Sequence, residues 1–190
     1  MTTASSVVWR RMTYMLSPQL DLYESIAKRV EGQHVVDIGF GTGAGTLQLA
    51  RYASHVVGYE VDGYAVDFAA RTFPLANVRW LHLDFMMYSG LGQYDAAVMI
   101  EVLEHITDWQ AALKNASERL TDSGKLYISA RNRNADLRRN DLHEREWTAA
   151  EFRAALAGYF ADVKLYDYTL ENEQGDDSRV TPLVAVARKA

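Results

Sequence analysis

Asp37, Glu60, Asp84 and Glu101 each stand at or just past the end of a short apolar run rich in β-branched residues. A carboxylate there accepts hydrogen bonds from two donors at once, which suits a ligand presenting a diol or an amino group. The first of these acids opens Asp37-Ile38-Gly39-Phe40-Gly41-Thr42-Gly43-Ala44-Gly45, in which glycines occupy alternate positions. Glycine tolerates positive φ and lets a ligand touch the backbone, and the amides at the start of a following helix would face that ligand. Further along, Glu101-Val102-Leu103-Glu104-His105 and, at a distance, His143 supply carboxylates and imidazoles. Such groups take a proton from a reacting atom or hold a metal ion.

The hydrophobic pattern defines the elements that must position these residues. Ser17-Pro18 reads as an N-cap followed by proline at the first helical position, and Leu20, Tyr23, Ile26, Ala27 and Val30 share one face of a helix over about 17–31. Strands are expected at 34–38, 55–60, 78–83, 94–100 and 125–130. Helices follow the glycine loop to about 53, run from Gly63 to Phe73-Pro74, and begin again at Thr107, whose spacing to Gln110 is that of a capping box. Trp109, Ala112, Leu113, Ala116 and Leu120 make the buried stripe of that third helix, and Thr121-Asp122-Ser123-Gly124 a turn. Thr148-Ala149-Ala150-Glu151 is a second capping box, ahead of a face of Phe152, Ala155, Leu156 and Tyr159. Residues 162–170 and 182–189 read as strands joined by the acidic turn 171–178, a connection that forces an antiparallel pair. Strands alternating with helices imply an α/β fold, a doubly wound and mostly parallel sheet that ends in an antiparallel C-terminal hairpin. Ligands of such sheets sit beyond the carboxyl ends of the strands, near the point where strand order reverses. The four acids stand there.

The length suits one domain over 1–190, with 1–32 as an N-terminal arm and helix. A net charge of −5 gives no overall basic footprint, so nucleic acid is not an expected partner. The chain has no cysteine, which fits a reducing, cytoplasmic location. It has neither the apolar core of a signal peptide near Met1 nor an apolar run long enough to span a membrane. Residues 131–147 are polar and arginine-rich. Arg131, Arg133, Arg138, Arg139 and Arg145 alternate there with Asp136, Asp141, Glu144 and Glu146. This stretch is either a solvated loop with internal ion pairs or an acceptor lid that favours an anionic substrate. Trp9, Tyr14, Met86, Met87 and Trp147 are candidates for the other walls.

The stretch from Val35 to Gly45 resembles motif I of the class I S-adenosylmethionine (SAM)-dependent methyltransferases, in which an acid precedes Gly-x-Gly-x-Gly by one residue. Gly39-x-Gly41-x-x-Ala44 also fits the dinucleotide fingerprint, but Asp84 and the C-terminal hairpin have no place in that fold. The resemblance covers about 33–190 and implies a Rossmann-like seven-stranded sheet in the order 3-2-1-4-5-7-6, with SAM as cofactor. It implies that Asp37 and the loop Gly39, Phe40, Gly41, Thr42 and Gly43 hold the methionine moiety. Glu60, with Val61 beside it, would take the ribose diol, Asp84 the adenine amino group, and the Phe85 amide and ring the rest of the purine. Glu101 would stand between cofactor and acceptor.

Methyl transfer from a sulfonium is an in-line displacement, in which proximity and alignment supply much of the catalysis. A neutral hydroxyl or amine must also lose a proton, and His105, Glu101 and His143 are the candidate catalytic residues. The expected reaction is methylation of an oxygen, less readily a nitrogen, of a small molecule or glycan. Glu101-x-x-Glu104-His105 with a later histidine also looks like the metal motif of the small-RNA 3′-terminal 2′-O-methyltransferases. Similar segments occur in quinone-biosynthesis methyltransferases, and His143-x-x-x-Trp147-Thr148 looks like a pattern of bacterial small-molecule and glycan methyltransferases. The expectation is therefore His105 as base with no obligatory metal. An RNA 2′-O-methyltransferase and a non-catalytic SAM-binding protein are the alternatives. If the helix begins at Thr107, residues 101–106 form a loop and Glu104 turns away as a structural anion.

Overall fold

A computed structural model describes residues 18–87, 93–135 and 143–189. In chain order the elements are α1 (Pro18–Ala27), β1 (His34–Ile38), α2 (Ala44–Ala50), β2 (His55–Glu60), α3 (Gly63–Thr72), β3 (Val78–His82), β4 (Tyr94–Ile100), α4 (Trp109–Glu118), β5 (Leu120–Ala130), α5 (Ala149–Ala157), β6 (Asp162–Tyr166), β7 (Glu173–Gln174) and β8 (Leu183–Arg188). The strands form one sheet in the order β3-β2-β1-β4-β5-β8-β6-β7. Strands β1 to β5 are parallel, and β8 runs antiparallel to both β5 and β6. With β8 as the seventh strand of the expectation, this is the expected order plus one strand.

The central strands β1, β4 and β5 are buried on both faces, hence their near-continuous apolar sequence. Alternate residues feed two cores. Val36, Ile38, Ala97, Met99, Leu126 and Ile128 pack with α4 and α5, whereas Val35, Val56, Ala96, Val98 and Tyr127 pack with α1 and α2. Strand order reverses at β1, which has β2 on one side and β4 on the other. Asp37, Glu60, Asp84 and Glu101 thus line up along adjacent strand ends, as expected.

Four local expectations are corrected. Helix α4 starts at Trp109, not Thr107, because the Asp108 side chain accepts from the Ala111 amide and caps it. Leu120 lies in β5 rather than on that helix. Tyr94 pairs with Leu120 and Ala96 with Lys125, so the expected turn 121–124 is an irregularity inside the strand. Strand β6 stops at Tyr166, because Asp167 accepts from the Thr169 amide and hydroxyl and from Asn172, folding the chain into a turn. The acidic stretch 171–178 contains β7, the eighth strand, paired with the edge of β6. The second capping box forms as expected, with Thr148 and Glu151 bonding each other's backbone. Among the described residues no helix is long and apolar enough to cross a membrane. Ser17, Trp9 and Tyr14, and the arginines Arg138 and Arg139, lie outside the described residues.

Candidate functional site

The glycine loop leaves β1 through three left-handed residues, Gly39, Gly41 and Gly43, at φ 72°, 57° and 85°. Their surroundings differ. A Cβ on Gly39 would lie 2.5 Å from a Val102 methyl, and one on Gly43 would lie 2.8 Å from Trp80 and 2.9 Å from Ala69. These two glycines let the loop close on its neighbours. Around Gly41 nothing lies within 4 Å of that position, so its missing side chain leaves open space where a ligand can approach the backbone. The Phe40 ring is 1% exposed and meets Trp80 edge-on, so it anchors the loop and only its backbone is left for a ligand. Thr42 is also buried.

Beneath the loop, Asp37 is fully buried and accepts from the Tyr23 hydroxyl of α1 (3.0 Å) and the Thr46 hydroxyl of α2 (2.6 Å). Burial pushes its carboxyl up to about 6, against the pull of those two bonds. Asp37 positions the loop by tying two helices to β1. Neither Tyr23 nor Thr46 could be tied to it from sequence, where Tyr23 reads as one more member of an apolar helix face.

Glu60, at the end of β2, accepts from the amides of Gly41 (2.8 Å), Val61 (2.9 Å) and Asp62 (3.0 Å). Its carboxylate is held against the loop while Val61, 62% exposed, projects beside it. Asp62 caps α3 through the Tyr64 amide. Asp84 is exposed and accepts from the Met86 amide. Phe85 is 4% exposed, near Tyr59 and under the Arg119 guanidinium at 4.6 Å. Its ring therefore belongs to the core, contrary to the expectation that it stacks on a purine, and its backbone is what a ligand can reach.

Glu101 follows β4 at φ 55°, a strained backbone for a residue with a side chain. The Ser129 hydroxyl of β5 holds it there, accepting the Glu101 amide (3.0 Å) and donating to Glu101 Oε1 (2.9 Å). Residues 103–105 form a single 3₁₀ turn that buries Glu104 completely. The segment is non-α as expected, but Glu104 turns inward rather than away. Neither of its carboxylate oxygens has a hydrogen-bond partner. Burial drives both carboxyls up, Glu104 further because the charge of Glu101 lies beside it. One ligand atom each of Glu104, His105 and His143 lies within 4.8 Å of the others. The two imidazole rings meet edge to face at 5.1 Å.

His143 arrives from far along the chain because segment 143–147 is pinned. The Glu104 carbonyl accepts from the Glu144 amide (2.8 Å) and the Arg145 amide (3.3 Å), and Trp147 exchanges backbone bonds with Arg131 and Arg133. Glu146 Oε1 lies 3.1 Å from His143 Nδ1 and 3.9 Å from Arg131 Nε. With the Nδ1 proton on that carboxylate, Nε2 of a neutral His143 is left as the basic nitrogen. Arg133 pairs with Glu151, and Arg145 stacks 4.2 Å over Trp147 and 5.3 Å over Trp109. The described arginines of 131–147 are thus engaged by the protein itself. Trp147, 1% exposed against Trp109 and Phe152, is core and not an acceptor wall. Met87 is 81% exposed near Asp84 and can still serve as one. Sequence reasoning missed Ser129 and Glu146 as parts of the site. Glu146 had only its place three residues after His143 to mark it.

A family model described as a methyltransferase domain matches residues 8–168. Among curated proteins, (S)-coclaurine N-methyltransferase of Papaver somniferum is 30% identical over 115 residues, which are 57% of this chain and 32% of that protein. Ubiquinone biosynthesis O-methyltransferase of Coxiella burnetii is 28% identical over 111 residues, 55% of this chain and 46% of that protein. The chain thus matches less than half the length of these relatives. Among solved structures, the N-methyltransferase NodS from Bradyrhizobium japonicum WM9, in complex with S-adenosyl-L-homocysteine, shares the fold at a TM-score of 0.63 and 20% identity, over 90% of this chain and 85% of that one.

Proposed function

The chain belongs to the class I SAM-dependent methyltransferase family, and from that membership we propose that it transfers the methyl group of SAM to an oxygen, in second place a nitrogen, of a small molecule or glycan. The observation that carries this reading is the contact of Val102 with Gly39. It sets the carboxylate–imidazole cluster directly beside the open glycine loop. The residues fit the cofactor: the space at Gly41 admits the methionine moiety, Glu60 accepts from the ribose diol, and Asp84 accepts from the adenine amino group. SAM, when bound, supplies a methyl group already activated on a sulfonium. What remains for the chain is to align the acceptor and remove its proton. His105 takes that proton. His143, oriented by Glu146, packs on the His105 ring and limits its rotation. Glu101 faces the developing positive charge on His105.

A second reading rests on Glu104. A fully buried carboxyl with no hydrogen-bond donor needs either a proton or a cation. Glu104, His105 and His143 would hold a divalent ion, and this donor set suits Zn²⁺, Mn²⁺ or Fe²⁺. Such an ion would acidify the acceptor and leave the imidazoles as ligands.

A labelled-methyl assay against lysate fractions of small molecules, glycans, RNA and protein tests both readings. Label in the small-molecule or glycan fraction, retained in EDTA and cut about 10²- to 10⁴-fold in His105→Ala, is the expected result. Turnover abolished by EDTA and restored by Mn²⁺ establishes the metal reading. Label in the RNA fraction moves the acceptor to nucleic acid, and label in none makes the chain a non-catalytic SAM-binding protein.

A further inference from the structure

At the opposite edge of the sheet, where the parallel strands begin, a groove of about 240 Å³ opens between the end of α1 and the surface of β5, β8 and β6. Arg29, Lys125, Lys164 and Arg188 line it, against one carboxylate, Asp162. In a chain of net charge −5 such a concentration of cations is out of character. The pairing of strands assembles it: Lys125 and Asp162 both stand opposite Arg188. Lys164 pairs with Glu173 at 3.2 Å, whereas Lys125 and Arg188 have no carboxylate within ion-pair distance among the described residues. Arg29 is fixed by donating to the Ser25 and Leu170 carbonyls.

The floor of the groove makes it a site rather than a charged surface. Tyr127 is 2% exposed, yet its hydroxyl has no hydrogen-bond partner in the described protein and reaches the groove. The guanidinium charges of Arg29 and Arg188 act on that hydroxyl, opposing the upward push of burial on its phenol. A buried donor beneath two guanidinium groups is an arrangement for an oxyanion. Leu170, Val186 and Tyr166 add an apolar wall. The volume is that of about eight waters, enough for a phosphate group carrying a small ring.

We propose that this groove binds a small-molecule phosphate monoester, with its dianion on Arg29, Arg188 and the Tyr127 hydroxyl and its organic portion against Tyr166, Leu170 and Val186. Lys125 and Lys164 complete the charge balance, and Asp162 accepts from a hydroxyl of the ligand. The dianion is favoured over a single carboxylate because four cations converge on the groove. The site is independent of methyl transfer and lies at the far end of the strands from the glycine loop.

Calorimetric titration of the full chain with phenyl phosphate and with inorganic phosphate, at low ionic strength, tests it. Phenyl phosphate is expected to saturate one site, about fivefold or more tighter than inorganic phosphate. The double variant Lys125→Gln/Arg188→Gln should weaken it about tenfold or more, and Tyr127→Phe about three- to tenfold, with S-adenosylhomocysteine affinity unchanged in both. Saturating S-adenosylhomocysteine should not displace it. No saturable binding, equal affinity for the two probes, an unaltered Kd in the double variant, or displacement by S-adenosylhomocysteine each overturns the proposal. Loss of methyl transfer alone touches only the catalytic reading.

Discussion

Along the row of acids, the half at β2 and β3 is wired locally and the half at β4 is wired across the fold. Glu60 is saturated by amides from its own turn and from the glycine loop, Asp62 caps the helix after it, and Asp84 holds an amide two residues on. Glu101 depends on Ser129, and His143 reaches His105 only because the Glu104 carbonyl grips the later segment. The first half satisfies its charges with its own backbone. The second keeps a buried carboxyl unsatisfied and a backbone strained. Binding needs only a shape that persists, whereas proton transfer needs groups whose protonation is poised, and poise comes from desolvation and from neighbours of like charge.

Gly41→Val is the strongest blow to the locally wired half. The β-branched residue is disfavoured at φ 57°, and its side chain fills the one open place in the loop. Affinity for S-adenosylhomocysteine should fall about a thousandfold or more, while circular dichroism shows a folded protein. Normal binding would mean that the ligand does not touch this loop.

Asp37→Asn probes what supports that half from below. Its folded carboxyl is raised to about 6 from an unfolded value near 3.9. Its contribution to stability is therefore fully present below about pH 4 and lost as pH rises through about 6, a loss of ~3 kcal/mol. Urea unfolding between pH 4 and 7 should show a shallower pH dependence in the variant. Some slope of the same sign should remain from Glu101 and Glu104, which are also raised. An identical slope in both proteins would show that Asp37 ionises normally.

Glu60→Ala should weaken S-adenosylhomocysteine by ~1–3 kcal/mol, the scale of hydrogen bonds to a charged group. The upper part of that range is expected, since the carboxylate also holds the Gly41 amide. Unchanged calorimetry in both Glu60→Ala and Asp84→Ala would remove the acids from the cofactor. In the other half, Glu146→Gln should lower turnover about tenfold and shift its pH profile, with cofactor affinity intact. A variant with wild-type turnover and profile would reduce Glu146 to a partner of Arg131. The smallest effect belongs to Asp62→Ala, about 1 kcal/mol of stability from a lost helix cap with no change in turnover. A larger loss of cofactor affinity would make Asp62 part of the ligand site.

The same contrast explains what the sequence revealed. Strand ends, glycine loop and C-terminal hairpin follow from periodicity and turn chemistry within a few residues, so the sheet order could be written down from them. Helix α4 was misplaced by two residues because Thr107 and Asp108 are both good caps and only the fold selects between them. The two-residue β7 has no periodicity to detect. Phe85 and Trp147 look like binding aromatics in one dimension, and only packing shows that their rings are core. His105 and His143 could be singled out by type, but their contact, the inward turn of Glu104 and the part played by Glu146 depend on a chain crossing that no local pattern encodes.

The pinning of 143–147 has a consequence for how such a chain can change. Backbone bonds at Arg131, Arg133 and Trp147 fix one side of the interval between 135 and 143, and those from Glu144 and Arg145 to Glu104 fix the other. With its ends clamped, that interval can be lengthened, shortened or exchanged at an entropic cost that grows only logarithmically with length. His143 stays where it is throughout. Acceptor preference is therefore separable from chemistry in this architecture. A graft of foreign residues between positions 135 and 143 is a way to redirect the enzyme without rebuilding its proton-transfer apparatus.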